Sequence, residues 1–324
     1  MQKQLILSVV MLCAVVLCVC VLVSAKPEVD YTELAKEAET NKNDILNFLN
    51  DTQIQQRYRN LYDILLKNLT GRTFITYSRS TRRIVSGYNT SILYVPWQAS
   101  LREKNYPICG ASVLTDTWML TAAHCLLRPN ARDLTVRLGS SWRTHGGEMY
   151  DVKERHIHPR YVRPTKRYDV GLLRLHTRLR FCSRIMPIRV VERGSRLLAD
   201  MPTIVSGWGK LREGGPSASF LQSSIMRTIA MKLCRVSGLD RNPIDPASMF
   251  CAGSFTQPSP DACQGDSGGP IVSNGVLIGI VSWGLGCARG NFPGVYTRVS
   301  NPVIHDWVFS KVANKSDVIA TDVR

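Results

Sequence analysis

The 324 residues predict an all-β body from Ile84 onward, with a partly helical segment before it and a single helix near its end. Three observations carry that prediction. After residue 83, short apolar runs rich in Val, Ile and Thr alternate with turn-forming Gly, Pro, Asn and Ser, as in Ala111-Ser112-Val113-Leu114 and Gly275 to Val281. Residues 26–83 differ: they hold no cysteine, one glycine and no strand-like alternation. Near the end, Asn301-Pro302 offers a helix start for a stretch through Val303, Trp307, Val308 and Val312. With 44% apolar and 20% charged residues the chain can bury a substantial core, and no internal repeat interrupts it.

In chain order, the first element is an uncharged run from Leu5 to Val23, followed by Ser24-Ala25. Val23 and Ala25 stand at the small-residue positions of a signal-peptidase site, so residues 1–25 read as a signal peptide. The run also reaches the length of a membrane span, and an uncleaved signal anchor is the alternative. Either way the rest of the chain faces an oxidising compartment, as a secreted, extracellular protein does. Residues 26–83 carry helix formers from Leu34 to Ala38, then Ile45, Leu46, Phe48, Leu49, Leu61, Ile64 and Leu65 at helical spacings, and read as a removable prosegment with one or two short amphipathic helices. Asn-x-Ser/Thr sequons at Asn50, Asn68, Asn89 and Asn314 are candidate glycosylation sites.

The net charge of +16 lies mostly after residue 83, and the stretch from Lys153 to Arg196 is especially rich in arginine. Such a surface keeps a protein soluble, or it serves as a polyanion site. No nucleic-acid motif accompanies it. Of ten cysteines, Cys13, Cys18 and Cys20 fall inside the N-terminal apolar run, which leaves an odd set of seven.

Three separated segments carry reactive groups: Thr121-Ala122-Ala123-His124-Cys125, Tyr168-Asp169-Val170-Gly171, and Asp261 to Pro270 around Gln264-Gly265-Asp266-Ser267-Gly268-Gly269. A serine hydroxyl is a poor nucleophile until an imidazole takes its proton, and the imidazole needs a buried carboxylate to fix its tautomer. Glycines beside the serine let backbone amides approach a developing oxyanion. Each segment alone has a structural reading: a buried histidine beside a disulfide, a turn-capping aspartate, a glycine-rich loop. Their conjunction favours chemistry.

These segments, with Arg82-Arg83-Ile84-Val85-Ser86-Gly87, resemble the chymotrypsin/trypsin family of serine endopeptidases over Ile84 to about Ala313. The resemblance implies two packed six-stranded antiparallel β-barrels with a C-terminal helix, residues 84–324 forming the protease domain, and an acyl-enzyme mechanism without cofactor or metal. It assigns His124 as general base, Asp169 as its orienter, Ser267 as nucleophile, and the amides of Gly265 and Ser267 as oxyanion hole. Gly171 departs from the family, which usually has alanine there; the lost methyl is expected to loosen packing behind Asp169. Cleavage after Arg83 would free an ammonium on Ile84 to pair with Asp266.

By the same resemblance, Asp261 lies at the base of the primary pocket, Gly284 and Gly294 form its walls, and Ser282-Trp283-Gly284 hold the substrate backbone as an added strand. An anion at the base suits Arg or Lys, and Ala262 beside it favours Arg. Lys166, three residues before Asp169, stands where the family separates the preceding subsites; a solvated lysine is the alternative. Implied bridges join Cys109 to Cys125, Cys234 to Cys251 and Cys263 to Cys287. A fourth family bridge is replaced by Thr203 and Ser273, and Cys182 is left over. We expect it as a buried thiol, with an intermolecular link or a bond to an N-terminal cysteine as alternatives. The stretch Arg137 to Gly147, which binds calcium in some trypsins, has no acidic residue, so no calcium site is expected. Partners implied are protein or peptide substrates and an activating protease. The rival reading is a non-catalytic homologue that binds a polyanion or a protein.

Overall fold

The structure, a computed structural model, describes residues 87–127, 131–235, 243–253, 261–287, 289 and 292–312. The chain divides into two units, Met1–Ser80 and Thr81–Arg324. The signal and prosegment expectations, Arg83, Ile84, and the sequons Asn50, Asn68 and Asn314 lie outside the described residues. Among the described residues no helix is long and apolar enough to cross a membrane.

Two closed barrels make up the described part. The first joins β2 (Gln98–Glu103), β3 (Tyr106–Val113), β4 (Trp118–Thr121), β7 (Gly171–Leu175), β6 (Glu148–Ile157) and β5 (Leu134–Leu138) in that spatial order, with β5 returning to β2. The second runs β9 (Pro202–Gly207), β10 (Gln222–Ile229), β11 (Met249–Gly253), β14 (Gly294–Arg298), β13 (Val276–Trp283) and β12 (Pro270–Ser273), then back to β9. The short β1 (Tyr88–Asn89) extends β10, and β8 (Arg189–Val190) pairs parallel with β13. This is the chymotrypsin-like double barrel.

The period-2 pattern explains the interior. In β5, Leu134, Val136 and Leu138 are buried while Thr135 and Arg137 between them are half-exposed, as a strand with one face in a core requires. Leu101, Val113, Met119 and Leu172 fill the first barrel; Val205, Ile271, Ile278 and Tyr296 fill the second. The barrels meet through polar contacts that water cannot reach. Ser206 on β9 donates to the Gln98 side chain on β2 at 2.6 Å, with both residues buried. The Gly110 N–H donates to the Ser267 carbonyl at 2.8 Å.

Two helices punctuate the second half: α1 (Met231–Arg235) and α2 (Pro302–Val312). Asn301 caps α2 by accepting from the Val303 and Ile304 amides at 2.9 and 3.1 Å, and Pro302 occupies the first turn, where its missing N–H costs nothing. Ile304, Val308 and Val312 form the buried stripe of α2.

Candidate active site

Each reactive segment lies where a strand ends. His124 lies in a 3-10 turn, Ala123–Leu126, just after β4, and its neighbour Cys125 is bridged to Cys109 in the middle of β3. Asp169 lies just before β7, fully buried, and Ser267 lies in the loop before β12. The Asp169 Oδ2 sits 2.7 Å from His124 Nδ1, and Oδ1 accepts the His124 backbone N–H at 2.9 Å. Ser282 Oγ donates to the same Oδ2 at 2.5 Å, and Thr297 Oγ1 donates to the Asp169 carbonyl at 2.8 Å. A carboxylate held by this many donors is fixed in place, and its bond to Nδ1 points the other imidazole nitrogen away from it. His124 lines the cavity, with its Nε2 3.7 Å from the Cys125 sulfur.

The loop carrying Asp169 is tightly braced. Lys166 and Tyr168 take left-handed backbone conformations, at φ 57° and 52°, which side chains disfavour. Tyr168 stacks on buried His158 with ring centroids 5.3 Å apart, and His158 meets Trp307 of α2 edge-on at 4.9 Å. Burial pushes the His158 imidazole below its ordinary range, so it serves as a neutral packing surface. At Gly171, the expectation of looser packing is corrected: a Cβ there would lie 2.6 Å from Leu126 Cδ1 and 3.2 Å from the His156 carbonyl. Leu126 already fills the space.

His124, Lys166, Asp261, Ser267, Ser282, Trp283, Gly284 and Gly294 line one cavity of about 250 Å³. The amides of Gly265 and Ser267 donate to no acceptor among the described residues, and Gly265 adopts φ 103°, a conformation glycine alone takes at ease. Asp261, 5% exposed, closes the inner end, and a Cβ on Gly294 would come within 2.7 Å of its Oδ1. A Cβ on Gly284 would meet only the Gly286 carbonyl and Gly294 Cα at 3.8 and 3.9 Å, so the slot between the two glycines is open but narrow. Lys166 is half-buried in the cavity wall; burial lowers its ammonium pKa against the pull of Asp169.

Asp266 is buried and faces the other way. Its carboxylate accepts from the Gly209 and Cys263 amides at 2.8 and 3.0 Å, and no cation among the described residues pairs with it. Burial pushes its pKa up to about 6, despite these donors.

Disulfides join Cys109–Cys125, Cys234–Cys251 and Cys263–Cys287. At the absent fourth bridge, Thr203 Oγ1 donates to the Met226 carbonyl at 3.0 Å and Ser273 Oγ to the Pro202 carbonyl at 2.8 Å. Cys182 corrects another expectation: its thiol is free but exposed, in the turn between β7 and β8. Asn89 is exposed on β1, with its side-chain carbonyl taken by Gln222 Nε2 at 2.7 Å. Among the described residues, the group Cys109, His124 and Cys125 draws together by metal-ligand criteria, but its two sulfurs are bonded to each other and offer no thiolate. In the arginine-rich stretch, Arg167, Arg174, Arg178 and Arg193 face Asp245, Glu154, Asp116 and Asp306. That much of its charge is locally balanced.

A double β-barrel with a carboxylate-held imidazole and a glycine-flanked serine in one cleft defines the chymotrypsin-like class of hydrolases. The trypsin family model matches residues 84–308, and the chain belongs to that family, the trypsin-like serine proteases. It is 41% identical to hypodermin-A of Hypoderma lineatum over 225 residues, covering 69% of this chain and 86% of that one. It is 36% identical to trypsin 5G1 of Aedes aegypti over 231 residues, covering 71% and 85%. A vitellin-degrading protease of Bombyx mori is 38% identical over 232 residues, covering 72% and 86%.

Proposed function

We propose that the chain is the zymogen of a secreted serine endopeptidase, activated by cleavage after Arg83, that cuts peptide bonds after Arg and Lys. The observation that carries the specificity is the buried Asp261 at the inner end of a slot whose walls, Gly284 and Gly294, have no side chains. A guanidinium entering the slot exchanges water for a charge-assisted, bidentate partner. Ser267 attacks the scissile carbonyl while His124 Nε2 takes its proton, and Asp169 stabilises the imidazolium that results. The Gly265 and Ser267 amides receive the oxyanion, His124 then protonates the leaving amine, and water resolves the acyl-enzyme.

Activation is supported by the condition of Asp266, a buried carboxyl with two amide donors and no cation among the described residues. The ammonium freed on Ile84 supplies the missing charge, and ordering of the 261–267 loop follows from that pairing. Secretion is supported by the three disulfides and by the N-terminal apolar run. The rival reading, a non-catalytic binding module, is disfavoured because each member of the triad is present.

A test of both reaction and pocket combines an active-site serine reagent with Asp261→Ser. The trypsin-treated native chain should react stoichiometrically and cleave Arg substrates. Asp261→Ser should keep the reagent stoichiometry yet lose at least about 100-fold in kcat/KM on Arg, a loss of roughly 3 kcal/mol in transition-state binding. Unchanged Arg cleavage would remove Asp261 from its role, and failure to react at all would favour the binding module.

A further inference from the structure

A second cavity, of about 540 Å³, shares no lining residue with the catalytic one, and a glycosylation sequon lies on its wall. Asn89 of β1, Gln222 of β10, and Trp142, Pro216 and Phe220 from two loops line it. The register of β1 on β10 sets Asn89 opposite Gln222. Trp142, in the loop after β5, bridges to Phe220, just before β10, and the two rings meet edge-on with centroids 5.0 Å apart. The indole remains 45% exposed although His145 stacks on it at 4.9 Å. A large apolar surface is thus left open beside the sequon.

Two amides on this wall have atoms without partners. Gln222 is only 2% exposed, and its Nε2 donates to the Phe220 and Leu221 carbonyls at 2.7 and 3.2 Å and to Asn89 Oδ1 at 2.7 Å. Backbone carbonyls only accept, so the Gln222 atom facing them is its nitrogen, and the Asn89 atom facing that nitrogen is an oxygen. The same assignment turns Gln222 Oε1 to the other side, where it is buried without a hydrogen-bond partner. A buried acceptor left unpaired is costly, which favours any donor that reaches it. Asn89 Nδ2 has no acceptor among the described residues, and that nitrogen is the atom to which an N-linked sugar is joined.

Asn89-Thr90-Ser91 is the one sequon whose asparagine is among the described residues, and its surroundings fit a particular occupant. The first sugar of an N-linked glycan, N-acetylglucosamine, is uncharged, with an apolar C–H face and with hydroxyl and amide donors. The Trp142 and Phe220 rings suit the face, and Gln222 Oε1 suits a donor. A tether makes the contact intramolecular, so modest complementarity is enough to hold it. A free ligand or a partner's side chain would meet the same walls, but only the sugar starts from an atom of the wall itself.

We propose that Asn89 carries an N-linked glycan whose first N-acetylglucosamine seats in this cavity, packed on Trp142 and Phe220 and donating to Gln222 Oε1. The proposal rests on the secreted reading, because only a chain in the secretory route meets the sugar donor, a lipid diphosphate oligosaccharide. In the transfer, Asn89 Nδ2 bonds to the anomeric carbon, the C–O bond to the diphosphate breaks, and the proton from the nitrogen leaves with the lipid diphosphate. Nothing is oxidised or reduced. The seated sugar ties β1 to the loops that carry Trp142 and Phe220.

The test uses the full chain, secreted from cultured animal cells held at the high-mannose stage. One sample is trimmed by an endoglycosidase that leaves a single N-acetylglucosamine on each asparagine. Another is stripped by an amidase, which returns Asn89 as an aspartate that still accepts from Gln222. Peptide mass spectrometry should find the sugar on residue 89 in the trimmed sample and the aspartate in the stripped one. Hydroxyl-radical labelling of Trp142 should be about threefold slower in the trimmed protein, which should also melt about 2–4 °C above the stripped one. Both differences should vanish in Asn89→Gln, and the melting gap should shrink in Trp142→Ala. A bare Asn89 beside glycans at other sequons overturns the proposal and leaves secretion standing. A chain retained in the cells with no glycan at any sequon overturns both. Equal labelling of Trp142 in the two samples, with Asn89 occupied, overturns the seat however Trp142→Ala behaves. A melting gap that persists in Asn89→Gln belongs to another glycan and overturns it as well.

Discussion

On the proposed endopeptidase reading, Lys166 would select among substrates without touching the reacting bond. Its left-handed backbone turns the lysine into the cavity wall, where sequence reading had left a solvated side chain as the alternative. Burial lowers its pKa, while the nearby Asp169 carboxylate favours the charged form. If cleavage follows Arg as proposed, a basic residue just before it would meet that charge and an acidic one would be attracted to it. We expect Asp-Arg peptides to exceed Lys-Arg peptides about fivefold in kcat/KM, equivalent to roughly 1 kcal/mol. The preference should vanish in Lys166→Leu. An identical ratio in both proteins would dismiss Lys166 as a selector. The supports of Asp169 were harder to foresee at this scale. Nothing in the sequence marks Thr297 or His158, because Thr297 reaches Asp169 through a hydrogen bond from β14 and His158 braces its neighbour Tyr168 by ring stacking.

At the scale of elements, local rules worked where the determinants are local. The start of α2 is written in Asn301-Pro302, and the structure caps the helix with that asparagine. Asn301→Ala should lower stability by about 1 kcal/mol, read from the midpoint of urea unfolding with an unchanged slope. A loss below a few tenths would assign the capping role to other groups. The strands around Ala111–Val113 and Val276–Val281 were legible from alternation and turn residues. Barrel closure was not, since β2–β5 and β9–β12 pair residues far apart in sequence, and only the resemblance to a family implied it. Gly171 misled for a related reason: the atom that fills its space belongs to Leu126, across the barrel wall.

For the molecule as a whole, the cleavage state should set how stability responds to acid. Burial raises the Asp266 carboxyl in the fold to about 6, above its unfolded value near 3.9. A group raised on folding contributes fully below about pH 4, and the contribution is lost as pH rises through about 6. Two pKa units correspond to roughly 3 kcal/mol. About half of that is lost between pH 5 and pH 7, so uncleaved Arg83→Gln should melt lower at pH 7 than at pH 5, relative to the cleaved native chain, by about 3–5 °C. In the cleaved protein the Ile84 ammonium favours the carboxylate and opposes that trend. Parallel melting profiles would mean that the freed terminus and Asp266 do not meet.

The exposed sulfur of Cys182 turns a question about the N-terminus into one of parity. A monomeric chain with all ten cysteines must present an even number of free thiols, whatever its bridges; a chain cut after Ala25 keeps seven and must present an odd number. With three bridges closed, that number is one. Alkylation of the unfolded, unreduced protein, weighed intact, should add one label per mature chain. Zero, two or four labels would mean that the apolar leader is still attached.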